Sequence, residues 1–481
     1  VTAPGALPFR KLLVANRGEI ACRVLRTAKR LGLATVAVYS EADASAPHVA
    51  LADEAVPIGP APVRESYLRV DALVGALERT GADAVHPGYG LLSENAEFAE
   101  AVARAGATFV GPSPLALRAL GDKIAARRAA RSVGLAPPPG TDEPVDPADV
   151  ERLRSEAARI GFPVLVKAAG GGGGIGMVAA SDESALERAA KSAAERGQSA
   201  FADARIYLEK LIERPRHIEV QVLCDEKGGA LALGERECSV QRRHQKIIEE
   251  SPSPAGFFAG EVGNERRRGL FERAVELARA VGYVGAGTVE FVADATGSFY
   301  FLEVNARLQV EHAVTELVMG LDLVEWQLRI AAGEPLPEEL STRKPSGHAI
   351  EARLYAEDPE RGFVPQPGTL AALRWPAPEL GPGEPTSPDL PGVRIDAGYV
   401  EGGSVSSHYD PLIAKVVVHA ENRDRAIALL DETLATSVIA LEGPKGPKAT
   451  NRDFLRRALT TSEFLRGEYD TGLAGSLVKS K

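Results

Sequence analysis

The feature that most constrains this chain is the ordered alternation of short apolar runs and helically spaced segments over its first 111 residues. RKLLVAN is an apolar run, and IACRVLRTAKR follows with Ile20, Val24, Leu25 and Ala28 at helical spacing. ATVAVYS reads as a strand, YLRVDALVGALERT as a helix and DAVHP as a strand. Such alternation predicts a parallel sheet with helices on its faces. Loops leaving the strand C-termini build the site in sheets of this kind, which singles out NRGEI (16–20) and HPGYGLLSEN (86–95).

A chain of 481 residues exceeds one compact core. The pattern divides it into 1–121, a helical connector 122–138 that ends in LAPPPG, a compact module 139–211, and strand-rich 212–335 and 336–481. A net charge of −10 argues against nucleic acid or anionic membrane as a partner, although QRRHQK (241–246) is a local basic knot suited to a small anion. No stretch is apolar enough to span a bilayer, and the N-terminus lacks signal-peptide features. Cys22, Cys224 and Cys238 are too few and too scattered for a disulfide framework, so a cytoplasmic location is expected.

Gly170 to Gly174, followed by Ile175 and Gly176, form a glycine run between two apolar strands. Without Cβ atoms in the way, its N–H groups can close over phosphate oxygens, and the loop can move. It is not a Walker loop, because no Gly-Lys-Ser/Thr follows and Lys167 lies upstream in FPVLVKA. A flexible linker is the plain alternative, against which its place inside a module argues. Lys123 in GDK and Lys167 are candidates for phosphate oxygens, though either alone reads as a surface lysine.

Glu290 in GTVEF and Glu303 in FYFLEVN sit in apolar strands, where a lone carboxylate is costly to bury unless paired or metal-bound. Together with Asn305 they offer oxygen-only ligation, which fits Mg²⁺ or Mn²⁺; a structural ion pair is the alternative. Arg307 and Gln309 continue the two-residue alternation. Arg307 is a planar fork for a carboxylate-like anion, Glu311 close to it is a candidate base, and His312 reads as a helix-start or core residue.

These motifs occur in one order with PRHIEVQVL, ERECSVQRRHQKIIEE, VTE, EARLYAEDP and YDPLIAK. With them the chain closely resembles biotin carboxylase, the ATP-grasp component of acetyl-CoA, propionyl-CoA and related carboxylases, from about residue 9 to 437 and more weakly beyond. The resemblance implies an α/β and α+β multidomain fold. It comprises a Rossmann-like N-terminal parallel-sheet domain, an ATP-grasp core with 139–211 as its mobile lid, and a strand-rich C-terminal domain. It also implies carboxylation of biotin on a carrier protein through carboxyphosphate, driven by ATP and bicarbonate, as the first half-reaction of an acyl-CoA carboxylase. Lys123, Lys167, Gly173, Gly174 and His217 would then hold ATP, with Gln241 and His244 at its ribose and phosphates. Glu209, Lys210 and Ile212 match the adenine edge, and Glu290, Glu303 and Asn305 the ligands of two Mg²⁺ or Mn²⁺ ions. Lys246, Arg307, Gln309, Val310 and Glu311 match the bicarbonate pocket, while Arg353 and Tyr89 match residues at biotin.

The chain departs from the family at Ile175, where a basic residue is usual, and at Ala306 and Ala313. ALEGPKGPKATN (440–451) is longer than its counterpart and reads as a surface loop. A homodimer is expected, with PGVRIDAG (391–398) in its interface region. Met177 and Met319 have no lysine neighbour, so these 481 residues show no biotin acceptor turn; the carrier is expected on another chain or on a further domain of a longer one, and the carboxyltransferase on another chain. Two further readings stay open: another carboxyphosphate-forming ATP-grasp ligase, and an inactive or regulatory nucleotide-binding subunit of a carboxylase.

Overall fold

The computed structural model describes residues 7–169, 176–201, 203–376 and 392–479. Gly173, Gly174 and Ile175 lie outside the described residues, as does the side chain of Lys123, the first residue of the helix Lys123–Ser132.

The N-terminal strands form a wholly parallel sheet in the order Glu54–Gly59, Ala34–Ser40, Lys11–Val14, Ala84–His86, Thr108–Phe109. The first helix, Gly18–Arg30, buries Ile20, Val24, Leu25 and Ala28, as their spacing requires. Strand order reverses between Lys11–Val14 and Ala84–His86, so the loops that follow these two strands meet at the switch point. Asn16 Nδ2 joins them, donating to the carbonyls of Pro87 (2.7 Å) and Tyr89 (2.8 Å). Gly88 has φ 64°, and a Cβ there would lie 2.8 Å from Asn16 Nδ2, so only glycine allows this contact.

The helix Pro114–Gly121 closes the N-terminal segment, and the connector after it contains the helix Lys123–Ser132. In the module that follows, strands Met177–Ala180, Val164–Ala168 and Ile206–Lys210 form an antiparallel sheet in that order. Its own apolar core includes Leu153 and Ala157 of the helix Val150–Ile160 and Leu186 and Ala190 of the helix Glu183–Phe201.

An eight-stranded sheet organises the rest. Its order is Phe299–Asn305, Gly285–Ala293, Arg216–Cys224, Ala230–Arg242, Gln245–Ser251, His348–Tyr355, Leu412–Ala420, Gly392–Ala397. All neighbours are antiparallel. Val240 pairs with Ile248 but Gln241 pairs with Lys246, so Ile247 is the extra residue of a β-bulge. That bulge turns Lys246 onto the same face as Glu249, which sequence counting alone does not suggest.

Two expectations from sequence fail here. Residues 440–451 are not a plain loop, because Val438–Gly443 and Gly446–Lys448 form a hairpin added to the strand Gly368–Arg374. Gly446, at φ 107°, makes the turn. The strand alternation does not continue past Asn305 either; 306–311 is a turn, and His312 opens the helix His312–Met319. Among the described residues, no helix is long and apolar enough to cross a membrane.

Candidate functional site

A cleft of about 1030 Å³ opens between the two N-terminal loops, the lid sheet and one face of the large sheet. Register determines what lines that face. Glu303 pairs with Glu290, Glu290 with Glu219, and Glu219 with Arg236, so four strands contribute one transverse polar row. The next row brings Asn305, Thr288 and Gln221 together. Buried Arg236 ties the rows with bonds to Glu219 Oε1 (2.5 Å), Gln221 Oε1 (2.7 Å), Thr315 Oγ1 (2.9 Å) and Thr288 Oγ1 (3.0 Å).

Lys246 is the hub. Its ammonium lies 2.5 Å from Glu219 Oε2, 2.6 Å from Glu311 Oε1 and 2.8 Å from Glu290 Oε1. Glu311 Oε2 also accepts from Arg353 Nη2 at 2.9 Å. Burial opposes charge on Glu311, yet Lys246, Arg353 and Arg236 together outweigh it and hold the carboxyl well below the usual range. Burial likewise opposes charge on Glu290, but Lys246 and His217 prevail and lower it. Lys246 itself is driven well above the ordinary lysine range, the three carboxylates overcoming desolvation. Glu219 goes the other way: burial and the carboxylates beside it raise its pKa despite Arg236 and Lys246.

At one end of the cleft, His217 stands 3.0 Å from Glu290 and shares a hydrogen bond with Gln241 (2.8 Å). His244 sits in a turn with φ 66°, where burial and nearby Lys167 push its imidazole down. Glu209 is buried, and its carboxylate contacts both Lys167 and Arg127. Lys210 points away from the cleft centre, its ammonium donating to the carbonyls of Gly161 (3.0 Å) and Phe162 (2.7 Å). Ile212 also lines the cleft. At the other end, Tyr89 donates its hydroxyl to Glu19, and Arg353 lies beside it.

Three local expectations need correction. Arg307 does not pair with Glu311: its Nε goes to Glu94 (3.1 Å), and its other nitrogens to Asn305 (2.8 Å), Gln309 (3.0 Å) and the Leu308 carbonyl. Glu311 stays near enough to help raise the Arg307 pKa, but its oxygens bond to Lys246 and Arg353. Glu303 is exposed rather than costly to bury, because its strand is the edge of the sheet and it faces the cleft. The basic knot is largely neutralised, since Arg242 is tied to Glu357 and Lys246 to three glutamates.

Glu311 itself is fully buried, beneath Lys246 and Arg353, which line the cleft. Val310 offers its carbonyl to Lys415 (2.8 Å), and Gln309 donates to Glu290 (2.9 Å). Sequence reading passed over Glu219, Arg236 and Glu94. Glu219 carried the same signal as Glu290, a charge between apolar residues in HIEVQVL, whereas Arg236 lies between Glu235 and Glu237 in GERECSV and stands out by no alternation. Glu94 carried none, since its partner lies 213 residues away.

The donor set fits magnesium. Glu290 and Glu303 are directly opposed, so their Cβ atoms are about 5 Å apart, and Asn305 adds a neutral oxygen in the next row.

Three family models match the chain: "Biotin carboxylase, N-terminal domain" over residues 8–117, "Carbamoyl-phosphate synthase L chain, ATP binding domain" over 122–339, and "Biotin carboxylase C-terminal domain" over 351–475. Biotin carboxylase 2 of Bacillus subtilis is 46% identical, the match covering 96% of this chain and 98% of that one. The propionyl-CoA carboxylase alpha chain of Ruegeria pomeroyi is 47% identical over 96% of this chain and 67% of its own length. Against methylcrotonoyl-CoA carboxylase alpha subunits of Dictyostelium discoideum and Oryza sativa the match spans only 63% and 59% of the relative. Biotin carboxylase from Campylobacter jejuni, solved as a βγ-ATP complex, superimposes with a TM-score of 0.88 at 41% identity, over 97% of this chain and 99% of that one. The biotin carboxylase domain dimer of Hydrogenobacter thermophilus 2-oxoglutarate carboxylase, solved with MgADP, ADP and bicarbonate, gives 0.87 at 39% identity, with 97% of each chain covered.

Proposed function

The chain belongs to the biotin carboxylase family, and on that premise we propose that its cleft makes carboxyphosphate from ATP and bicarbonate and passes the carboxyl group to biotin on a separate carrier. The arrangement of Glu311 carries this reading: a buried carboxylate held ionised between Lys246 and Arg353, midway along a cleft that runs from Glu209 to Tyr89.

ATP enters with adenine at Glu209, Lys210 and Ile212 and its phosphates toward Lys167, His217 and Lys246. Its arrival frees Lys167 from Glu209. Bound magnesium, for which manganese can stand in, supplies positive charge to the phosphates; Glu290, Glu303 and Asn305 would hold it, as two ions. Bicarbonate sits against Arg307, Gln309 and Val310, taking up some of the contacts that Lys246 and Arg353 now make with Glu311. Glu311 accepts its proton as the bicarbonate oxygen attacks the γ-phosphorus and ADP leaves. Carboxyphosphate then releases CO₂ and phosphate inside a cleft closed by the module 139–211, where water is kept out. The phosphate takes the N1′ proton of biotin, Arg353 steadies the ureido oxygen, and N1′ captures the CO₂.

The carrier and carboxyltransferase lie outside the sequence described, and the molecule works as a homodimer, as in the solved domain dimer. Three buried, free cysteines suit a reducing compartment such as the cytoplasm. The test is ATP cleavage with and without bicarbonate, and with and without free biotin. Turnover that requires bicarbonate and rises with biotin supports the proposal. Indifference to biotin points to a different carboxyphosphate ligase, and no turnover points to a regulatory subunit.

A further inference from the structure

Two carboxyl groups behind Arg353 have no part in the reaction described above. Glu249 and Glu351 face each other directly across the antiparallel strands Gln245–Ser251 and His348–Tyr355. Their side chains therefore leave the same face with Cβ atoms about 5 Å apart. Both residues are fully buried, and apart from the ion pair of Glu249 Oε1 with Arg353 their carboxylate oxygens meet no donor among the described residues. Arg353, two positions from Glu351, shares that face; its Nη2 lies 2.5 Å from Glu249 Oε1 and 2.9 Å from Glu311 Oε2. Lys415 stands opposite Arg353 on the next strand. Its ammonium is turned to the Val310 carbonyl (2.8 Å), Asp396 (3.4 Å) and Glu19 (3.5 Å).

Two buried carboxylates at directly paired positions repel each other, which disfavours ionisation of both. The groups that face them are Arg353, Glu311, Lys246, Cys238, Tyr355 and Lys415. Burial pushes Glu249 up to about 7, with Arg353 pulling down and Glu311 pushing further up. Burial and Glu249 drive Glu351 well above the carboxylate range, against the pull of Lys415 and Arg353. A single proton between the two groups would supply a donor to the oxygens that Arg353 leaves unpaired.

We propose that Glu249 and Glu351 share one proton and, as a pair of net charge −1, position the Arg353 guanidinium for the biotin ureido oxygen. With both ionised, the second buried charge would draw Arg353 into the sheet and out of the cleft. With both neutral, Arg353 would close on Glu311 and bind the carboxylate that serves as base. One negative charge balances it between the two. Neither glutamate touches substrate, so both are positioning residues, and their role rests on the biotin reading of the site.

Three variants and one spectrum test this. Glu249→Gln moves the single charge to Glu351, away from the Arg353 Nη2 that Glu249 meets at 2.5 Å, and is expected to lower kcat/KM for biotin by about tenfold or more, while KM for ATP stays within about twofold. Glu351→Ala is expected to lower the same biotin parameter, and Glu351→Gln to restore most of it, because an amide N–H can replace the shared proton toward Glu249. Infrared spectra of the wild-type protein near neutral pH should contain a protonated-carboxyl C=O band, sensitive to D₂O, that Glu351→Gln removes. Glu351→Gln as damaging as Glu351→Ala at equal thermal stability, or a band unaffected by Glu351→Gln, overturns the shared proton. An unchanged biotin kcat/KM in Glu249→Gln overturns the positioning role. Biotin stimulation of the wild-type enzyme, measured first, separates a failure of the functional reading from a failure of the pair. The spectrum decides the matter even where a Glu249 variant does not fold.

Discussion

Replacing Lys246 by Met keeps the apolar stem and removes one ammonium from among three carboxylates at 2.5, 2.6 and 2.8 Å. Removing one partner of a buried ion pair costs about 3–5 kcal/mol, because a charge is left uncompensated. Here each carboxylate keeps other support: Arg236 at Glu219, Arg353 at Glu311, and His217 and Gln309 at Glu290. The loss should therefore fall near the lower bound, about 3 kcal/mol. If it is expressed in the transition state, that corresponds to roughly a hundredfold in rate. The pH dependence has a definite sign. Lys246 helps to depress the Glu311 pKa, so its removal raises that pKa, and the acid limb of the rate moves to higher pH. The assay is bicarbonate-dependent ATP cleavage from acid to neutral pH, with thermal unfolding measured alongside. A variant that keeps about a third of the rate, with the acid limb unmoved, refutes the reasoning that Lys246 sets the charge of this site.

Glu311→Gln keeps the shape but cannot accept a proton, so bicarbonate-dependent turnover should fall by about a hundredfold or more while KM for ATP changes little; an equal change in both would show that Glu311 only binds. Glu94→Gln loosens the ion pair that orients Arg307 and should raise KM for bicarbonate several-fold with kcat nearly unchanged, as read from initial rates at varied bicarbonate. Glu250, fully buried against Arg423, His348 and Tyr469, has its carboxyl lowered to about 2, burial being outweighed by His348 and Arg423. Its stabilisation, about 3 kcal/mol, is complete above the unfolded carboxyl pKa near 4.5 and is lost as pH falls toward 2; Glu250→Gln should remove that part of the acid sensitivity in thermal melts. Ile175→Arg restores a charge usual at this loop position and should tighten ATP, seen as a lower apparent KM.

Elements whose logic is local could be read directly from the chain. Ile20, Val24, Leu25 and Ala28 mark a helix because their spacing matches its period, and the structure buries all four. Glu290, Glu303 and Asn305 share a face because strand side chains alternate, and their register joins them. What depends on a break in regular geometry was not legible. Ile247 inserts a bulge that brings Lys246 round to Glu311, and a turn after Asn305 ends the alternation that joined Arg307 and Gln309 to the strand. Burial was read too simply as well, since Glu303 looks costly within FYFLEVN but lies at a sheet edge. QRRHQK looks basic in sequence, yet acids distant in the chain neutralise its Arg242 and Lys246: Glu219, Glu290, Glu311 and Glu357. The hairpin at 440–451 escaped notice because glycine, proline and lysine suggest a loop, whereas pairing with Gly368–Arg374 supplies the strand order.

On the reaction proposed for this cleft, bicarbonate attacks ATP to give carboxyphosphate before biotin is carboxylated. Turnover with ¹⁸O-labelled bicarbonate, ATP and biotin, followed by mass spectrometry of the released phosphate, tests it most directly. Transfer of one bicarbonate oxygen into each phosphate is the predicted result, because the bridging oxygen stays with phosphorus when CO₂ departs. Phosphate free of that label, at a measurable rate of ATP cleavage, would contradict the account.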